Sequence, residues 1–196
     1  MGAATGCGGV SAASPQTPVE LDDATLVARA REGDTRAFEA LVRRYQRQLY
    51  HLALRITGWS GDAEDVVQEV FLTAWRRLPE IRDDAALPGW LYRTTTNRCL
   101  NLLRRSRPTA ELDETTPTQA PAEDPQRAAE ASQQVRALTA ALARLSPKQR
   151  AAWLLREVHG RSYEEIADAL ATTPHAVRGR LARARVQLAE LMQTWR

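Results

Sequence analysis

Arginine is the residue type through which this chain has the means to do chemistry. Between Leu91 and Arg107 stand five arginines, Arg93, Arg98, Arg104, Arg105 and Arg107, with no acid among them. A guanidinium carries a permanent charge and a planar fork of donors that matches phosphate, so an acid-free cluster of this kind suits a polyanion. A second group, Arg178, Arg180 and Arg183, falls near the start of a helical stretch close to the C-terminal end. Covalent chemistry has no comparable footing. There is no glycine-rich loop ending in Gly-Lys, no His-Glu-x-x-His, and no nucleophile beside a base in a recognisable setting, so no catalytic residue is assigned. His51, His159 and His175 form no cluster, and Cys7 and Cys99 lie too far apart for a ligand pair or a disulfide framework. No metal and no cofactor is expected.

The elements that must hold the second arginine group begin at Ser162. Together with Glu165 it makes a capping box, each side chain satisfying a backbone N–H that a helix start leaves without a partner. Ile166, Ala167 and Leu170 fall on one side of the helix that follows. Ala171, Thr172 and Thr173 break its pattern, and Thr173 with Pro174 supplies an N-cap and an N1 proline for the next. There Val177, Leu181, Ala184, Leu188 and Leu191 step by four and three, one buried stripe with arginine on the other faces. Two helices joined by about three residues, the second presenting Arg178, Arg180 and Arg183, have the geometry of a DNA-binding helix-turn-helix. An ordinary helical hairpin with a solvated basic face shares the pattern.

The first arginine group sits on a helix of about Gly89 to Arg105. Trp90 and Leu91 read as core, while Thr94, Thr95, Thr96 and Asn97 are poor helix filler and read as polar groups kept for contacts. Upstream, a short helix covers about Thr25 to Arg31, Gly33 stops it and Asp34 caps the next. Phe38, Leu41, Tyr45, Leu49, Leu52 and Ile56 give that long helix its core face up to Gly58. A third helix opens near Asp62, whose carboxylate complements the helix dipole; Val66, Val67, Val70, Phe71, Ala74, Trp75 and Leu78 face inward. Asp65, Gln68, Glu69 and Leu72 lie on other faces, a possible protein contact. Leu78 to Leu87 reads as a loop bounded by prolines.

Fold class follows from this patterning. Hydrophobic residues make up 43% of the 196, aromatics only 6%, and no run alternates as a strand would, so the chain is all-α. Residues 1–21 are rich in Gly, Ala, Ser and Pro and read as a disordered tail. Residues 108–125 turn abruptly to Pro, Thr, Ala and acid with no base, an extended acidic linker between two small helical domains, residues 22–107 and 126–196. In the second domain four helices are expected, with Leu138, Leu142 and Leu145, then Ala152, Leu155 and Val158, facing its core. The net charge is only +3, so the local arginine clusters matter more than the sum. No apolar run approaches the roughly 18 residues of a membrane span, and no basic start suggests a secretory signal; a cytoplasmic protein without membrane insertion is expected.

Three blocks in this order carry a resemblance: DAEDVVQEVFLTAW at Asp62 to Trp75, WLYRTTTNRCLNLLRR at Trp90 to Arg105, and LSPKQRAAWLLREVHGRSYEEIADAL with the arginine-rich helix after it. The chain resembles the bacterial RNA polymerase sigma factors, and more narrowly the extracytoplasmic function (ECF) group of the sigma-70 family, which keeps only sigma domains 2 and 4. The resemblance implies a transcription initiation factor that binds core RNA polymerase and directs it to promoter DNA. It implies that Asp65, Gln68 and Glu69 meet core polymerase, and that Asn97 serves a flipped base of the minus-10 element while Arg93 and Arg98 meet phosphates. It implies that Arg178, Arg180 and Arg183 read the minus-35 element, and that an anti-sigma factor is a partner. Gly179, Ala182 and Ala176 depart from common family choices on that helix, which bears on base preference. Two other readings remain from the residues alone: a stand-alone helix-turn-helix transcriptional regulator, and, with less in its favour, an RNA-binding adaptor.

Overall fold

A computed structural model describes residues 21–81, 83–106 and 133–193, and among the described residues there is no strand. The expected tail, apart from Leu21, and the expected linker lie outside them, as do Arg107 and residues 126–132. The first helix, α1 (Asp23–Arg31), is capped by Asp22, whose carboxylate accepts from the Thr25 N–H at 2.8 Å. Asp34 caps α2 (Thr35–Thr57) in the same way, accepting from Arg36 and Ala37. This 23-residue helix is the spine of the first half, burying Leu41, Leu49, Leu52 and Ile56. It ends where Gly58 takes a φ of 89°, a left-handed conformation that costs glycine little.

α3 (Ser60–Arg77) and α4 (Leu87–Ser106) pack on α2. Two short 3₁₀ turns, Leu78–Glu80 and Asp84–Ala86, occupy the stretch expected to be loop, and α4 begins two residues before Gly89. Most of the expected inner face of α3 is buried, but Trp75 is 38% exposed and leans on Phe38 instead, with ring centroids 4.9 Å apart. The threonines of α4 also depart from expectation. Thr95 and Thr96 are both fully buried, so they fill the core rather than await a contact. Packing has overridden a weak helix propensity there.

The second half is the expected four-helix unit: α5 (Gln133–Ala143), α6 (Pro147–Trp153), α7 (Tyr163–Ala169) and α8 (Pro174–Gln193). Capping boxes open α6, between Ser146 and Gln149, and α7, between Ser162 and Glu165. A π turn, Leu154–Val158, continues α6 and leaves Val158, expected on the core side, 59% exposed. Between α7 and α8 Ala171 takes a φ of 48°, the one non-glycine residue in the left-handed region among those described. The tight turn of the helix-turn-helix requires that conformation at a residue whose Cβ resists it.

The halves do not stand apart. A single hydrophobic cluster runs through both, and α4 lies against α7 while α2 touches α5 and α6. The Arg150 guanidinium of α6 is fully buried in this junction. It donates to Ile56 O at 3.0 Å and Arg55 O at 3.4 Å in the last turn of α2, and to Ala143 O at 3.0 Å and Leu145 O at 3.2 Å at the end of α5. The last carbonyls of a helix lack partners within it and carry its negative pole, so a cation there is well placed. One side chain thus caps two helices, one from each half, which offsets the large cost of burying a charge.

Candidate nucleic-acid interface

α4 brings the three minus-10 candidates to one end of the first half, and two of them are already engaged. Arg93 lies 3.7 Å from the carboxylate of Asp168, on α7 of the other half. Arg98 pairs with Glu69 across to α3 and donates to the Thr73 hydroxyl at 3.0 Å, while that hydroxyl donates to Glu69 O at 2.7 Å. Asn97 is exposed between them. Glu69, Arg98, Arg105, Val66 and Leu102 line a small cleft between α3 and α4, a concavity with two guanidinium groups on its rim. Such a rim suits a phosphate, provided Glu69 gives up its partner.

Before Arg93, Tyr92 is buried at 2% exposure; its hydroxyl donates to Gln48 Oε1 at 2.5 Å. The other half covers its ring. The His159 ring lies 5.0 Å away and the Arg161 guanidinium 4.6 Å over the face. Burial pushes the Tyr92 phenol above its ordinary pKa. His159 moves the other way: burial, then the positive Arg161 and the nearby His51, push its pKa down to about 4, so the imidazole is neutral at pH 7.

On α8 the candidates divide. Arg178 is exposed, with its guanidinium 5.4 Å from the centre of the Tyr163 ring, which Arg156 also approaches at 4.8 Å. Arg183 is exposed as well. Arg180 is 8% exposed and joins the buried stripe of Val177, Leu181, Ala184 and Leu188, so it is not presented on the outer face as the sequence suggested. It stands three residues after Val177 and one before Leu181, inside the apolar stripe, and its side chain is buried there, Nη1 included. Farther along, Arg185 is held by Glu157 at 2.6 Å, which raises its pKa.

On α3, Asp65, Gln68 and Glu69 are all exposed, as expected. They do not act as one patch. Gln68 lines an open groove between α2 and α3 with Phe38, Val42, Leu72 and Trp75, whereas Glu69 turns toward α4 and Arg98. Leu72 is 50% exposed and Trp75 38%, so the groove is a partly apolar surface left uncovered in the described fold. Sequence reasoning passed over Tyr163, which underlies Arg178. Its signal was present: an aromatic immediately after an N-cap serine, one helix ahead of an arginine-rich one. The partners of Arg93 and Arg98 left none, since they come from helices distant in sequence.

Two family models match the chain, Sigma-70 region 2 over residues 41–109 and Sigma-70, region 4 over residues 135–188. The chain is 38% identical over 175 residues to the ECF RNA polymerase sigma factor SigM of Mycobacterium tuberculosis, spanning 88% of this chain and 86% of that one. It is 35% identical over 176 residues to the ECF RNA polymerase sigma-E factor of Escherichia coli, spanning 85% and 92%. Among solved structures, CnrH in complex with the cytosolic domain of CnrY superposes with a TM-score of 0.67 at 28% identity, over 88% of this chain and 97% of that one. The sigma factor RpoE of Bartonella quintana, in complex with the anti-sigma factor NepR, shares the fold with a TM-score of 0.63 at 24% identity, over 81% and 98%.

Proposed function

The chain belongs to the ECF group of the sigma-70 family and is a transcription initiation factor that directs RNA polymerase to promoters, and from that premise we propose how its surfaces divide the work. Residues 22–107 dock on core polymerase and hold the minus-10 element, residues 108–125 tether, and residues 126–196 read the minus-35 element as duplex. The observation that carries this division is the pair of basic faces, exposed Asn97 and Arg93 with half-buried Arg98 on α4 and exposed Arg178 and Arg183 on α8, one on each half.

On α4, Arg93 and Arg98 take phosphates once their carboxylate partners release them, and Asn97 hydrogen-bonds the edge of an extruded base. Extrusion costs a few kcal/mol of stacking and pairing, which binding repays without any hydrolytic step. On α8, Arg178 enters the major groove with Tyr163 beneath it, an aromatic face that restricts the guanidinium before DNA arrives. Arg183 joins it, while Arg180 acts from the buried stripe by fixing the helix. On α3, Asp65, Gln68 and Glu69 contact core polymerase, with Leu72 and Trp75 supplying the apolar part of that surface. The protein carries no catalytic step of its own, works in the cytoplasm, and has an anti-sigma factor among its partners, as the Bartonella RpoE does.

The test is transcription from a promoter library by core polymerase with and without the chain. The expected result is initiation at a restricted set of promoters only when the chain is present. Strong binding of the chain alone to promoter duplex, with no initiation conferred on core, would instead support a stand-alone regulator. Arg178→Ala is expected to weaken minus-35 binding by about 1–3 kcal/mol with relaxed preference at one base pair. A uniform loss across sequences would reassign Arg178 to phosphate.

A further inference from the structure

Resting on the minus-35 reading above, we propose that Ala182 of α8 recognises the methyl group of a thymine, and that the bare backbone at Gly179 lets the helix sit low enough in the major groove for so short a side chain to reach it.

The two sides of α8 are related by a constant offset. Val177, Leu181, Ala184 and Leu188 are buried, and the residues two positions before each, His175, Gly179, Ala182 and Val186, lie about 200° round the helix from them. That is the outermost line of the helix-turn-helix. His175, Ala182 and Val186 are exposed, Val186 by 59%. The outward line of a surface helix ordinarily carries charged and polar side chains. From Gly179 to Val186 this one carries none. Arg178 and Arg183, both exposed, stand on its flanks, about 70° to either side. The outer face is therefore an apolar ridge between two cations.

Nothing within the fold calls for glycine at 179. A glycine inside a helix loosens it relative to alanine, and a Cβ built there would meet only Arg183 Nη1, at 3.5 Å, an ordinary contact. No part of the described chain needs the space. What the missing side chain provides is approach to the helix backbone from outside, the use glycine has where backbone meets a ligand closely. Ala182 stands nearly one turn farther along the same line.

The chemistry of the ridge names what it touches. Its flanking arginines suit a polyanion, and a major groove about 12 Å wide admits a helix of about 10–12 Å. On the floor of that groove guanine shows N7 and O6, cytosine its N4 amine, adenine N7 and its N6 amine, and thymine O4; the thymine methyl alone is apolar. A ridge without side-chain donors or acceptors leaves any of the polar edges unpaired. Against the methyl, Ala182 removes apolar surface from water on both partners. Arg178 and Arg183 reach past it to either side.

The assay is the affinity of holoenzyme, formed from core polymerase and the full chain, for the minus-35 element recovered from a promoter library, with each thymine in turn replaced by deoxyuridine. Deoxyuridine keeps every hydrogen-bonding edge and lacks only the methyl. One such replacement is expected to weaken wild-type binding about three- to fivefold, as loss of one buried methyl group should. The effect disappears in Ala182→Gln, which suits a helix and sets polar groups where the methyl contact was. Gly179→Ala is expected to weaken binding to the same element at least threefold although it firms the helix, a divergence that a purely structural role does not produce. An element without thymine, no effect of deoxyuridine at any position, an effect that persists in Ala182→Gln, or unchanged affinity of Gly179→Ala each overturns the proposal. Initiation that still depends on the element then leaves the minus-35 reading standing. If holoenzyme recovers no minus-35 element at all, that reading fails and the proposal falls with it.

Discussion

Replacing Glu69 with Gln separates two roles that converge on one carboxylate. Glu69 sits on the helix assigned to polymerase contact, yet it faces Arg98, which is assigned to promoter phosphate. The side chains are 34% exposed at Arg98 and 62% at Glu69, so solvent screens the pair and its worth falls in the range of about 0.2–1 kcal/mol. Arg98 keeps its bond to Thr73 at 3.0 Å in the variant, so it stays on the α4 surface rather than collapsing elsewhere. Glu69→Gln therefore is expected to tighten binding of single-stranded minus-10 DNA to the free chain by about two- to fivefold, the equivalent of up to about 1 kcal/mol. Fluorescence anisotropy at low salt measures it, and a double-mutant cycle with Arg98→Ala isolates the pair: the gain should vanish when Arg98 is absent. An equal gain in the Arg98→Ala background would mean that removing any acid helps, through the net field alone. No gain in either background would refute the view that Glu69 withholds Arg98 from DNA. Core binding, scored separately by pulldown, falls in the same variant if Glu69 reaches the polymerase, and its outcome does not affect the DNA result.

Two glycine exchanges in the helix-turn-helix run in opposite senses. Gly179 lies inside α8 and a Cβ there would meet Arg183 Nη1 at 3.5 Å, an ordinary contact, so Gly179→Ala should stabilise the chain by about 0.5–1 kcal/mol and raise its melting temperature by a few degrees. Ala171, with its φ of 48°, should gain about 1 kcal/mol when changed to Gly; thermal circular dichroism checks both, and a fall in either contradicts the backbone reasoning. Acid should weaken the contact between the two halves. His159 is held neutral there by burial among Tyr92, Arg161 and His51, with a pKa near 4 against about 6.5 when exposed. A base with a depressed pKa stabilises the packed arrangement fully above pH 6.5, and that contribution is lost as pH falls toward 4. At pH 5 the unscreened figure is about 2 kcal/mol, discounted to about 1 for the partial exposure of His159. The melting temperature followed by circular dichroism should drop between pH 7 and pH 5, and His159→Gln should flatten that dependence; a slope that survives the substitution points to another group.

Much of the local architecture was legible because it is written in side chains. Asp34, Ser146 and Ser162 cap the helices their types foretell, and the Val177 to Leu188 stripe is buried as its spacing requires. Arg180 was misplaced because charge outweighed position in the reading: its place beside Leu181 puts it among the buried residues, and an arginine stem is long enough to lie there. Thr95 and Thr96 were misread for the opposite reason, polar atoms being taken as a sign of contact in a region where packing decides. The junction left no trace in the sequence at all. Arg150 donates to backbone carbonyls at the ends of α2 and α5, and every residue type carries the same carbonyl, so no motif could announce those acceptors.

The Arg150 cap also has an order in time. The carbonyl of Arg55 and the guanidinium it meets are 95 residues apart, and the N-terminal half leaves the ribosome first. At about 5–20 residues per second, roughly 5–20 s separate the synthesis of the two. During that interval the carbonyls of Arg55 and Ile56 lack the Arg150 guanidinium, and Tyr92 and Arg93, once made, are not yet covered by the second half. Each newly made molecule thus passes through a stage in which its first half stands uncovered, and the rate of translation across residues 56–150 sets how long that stage lasts.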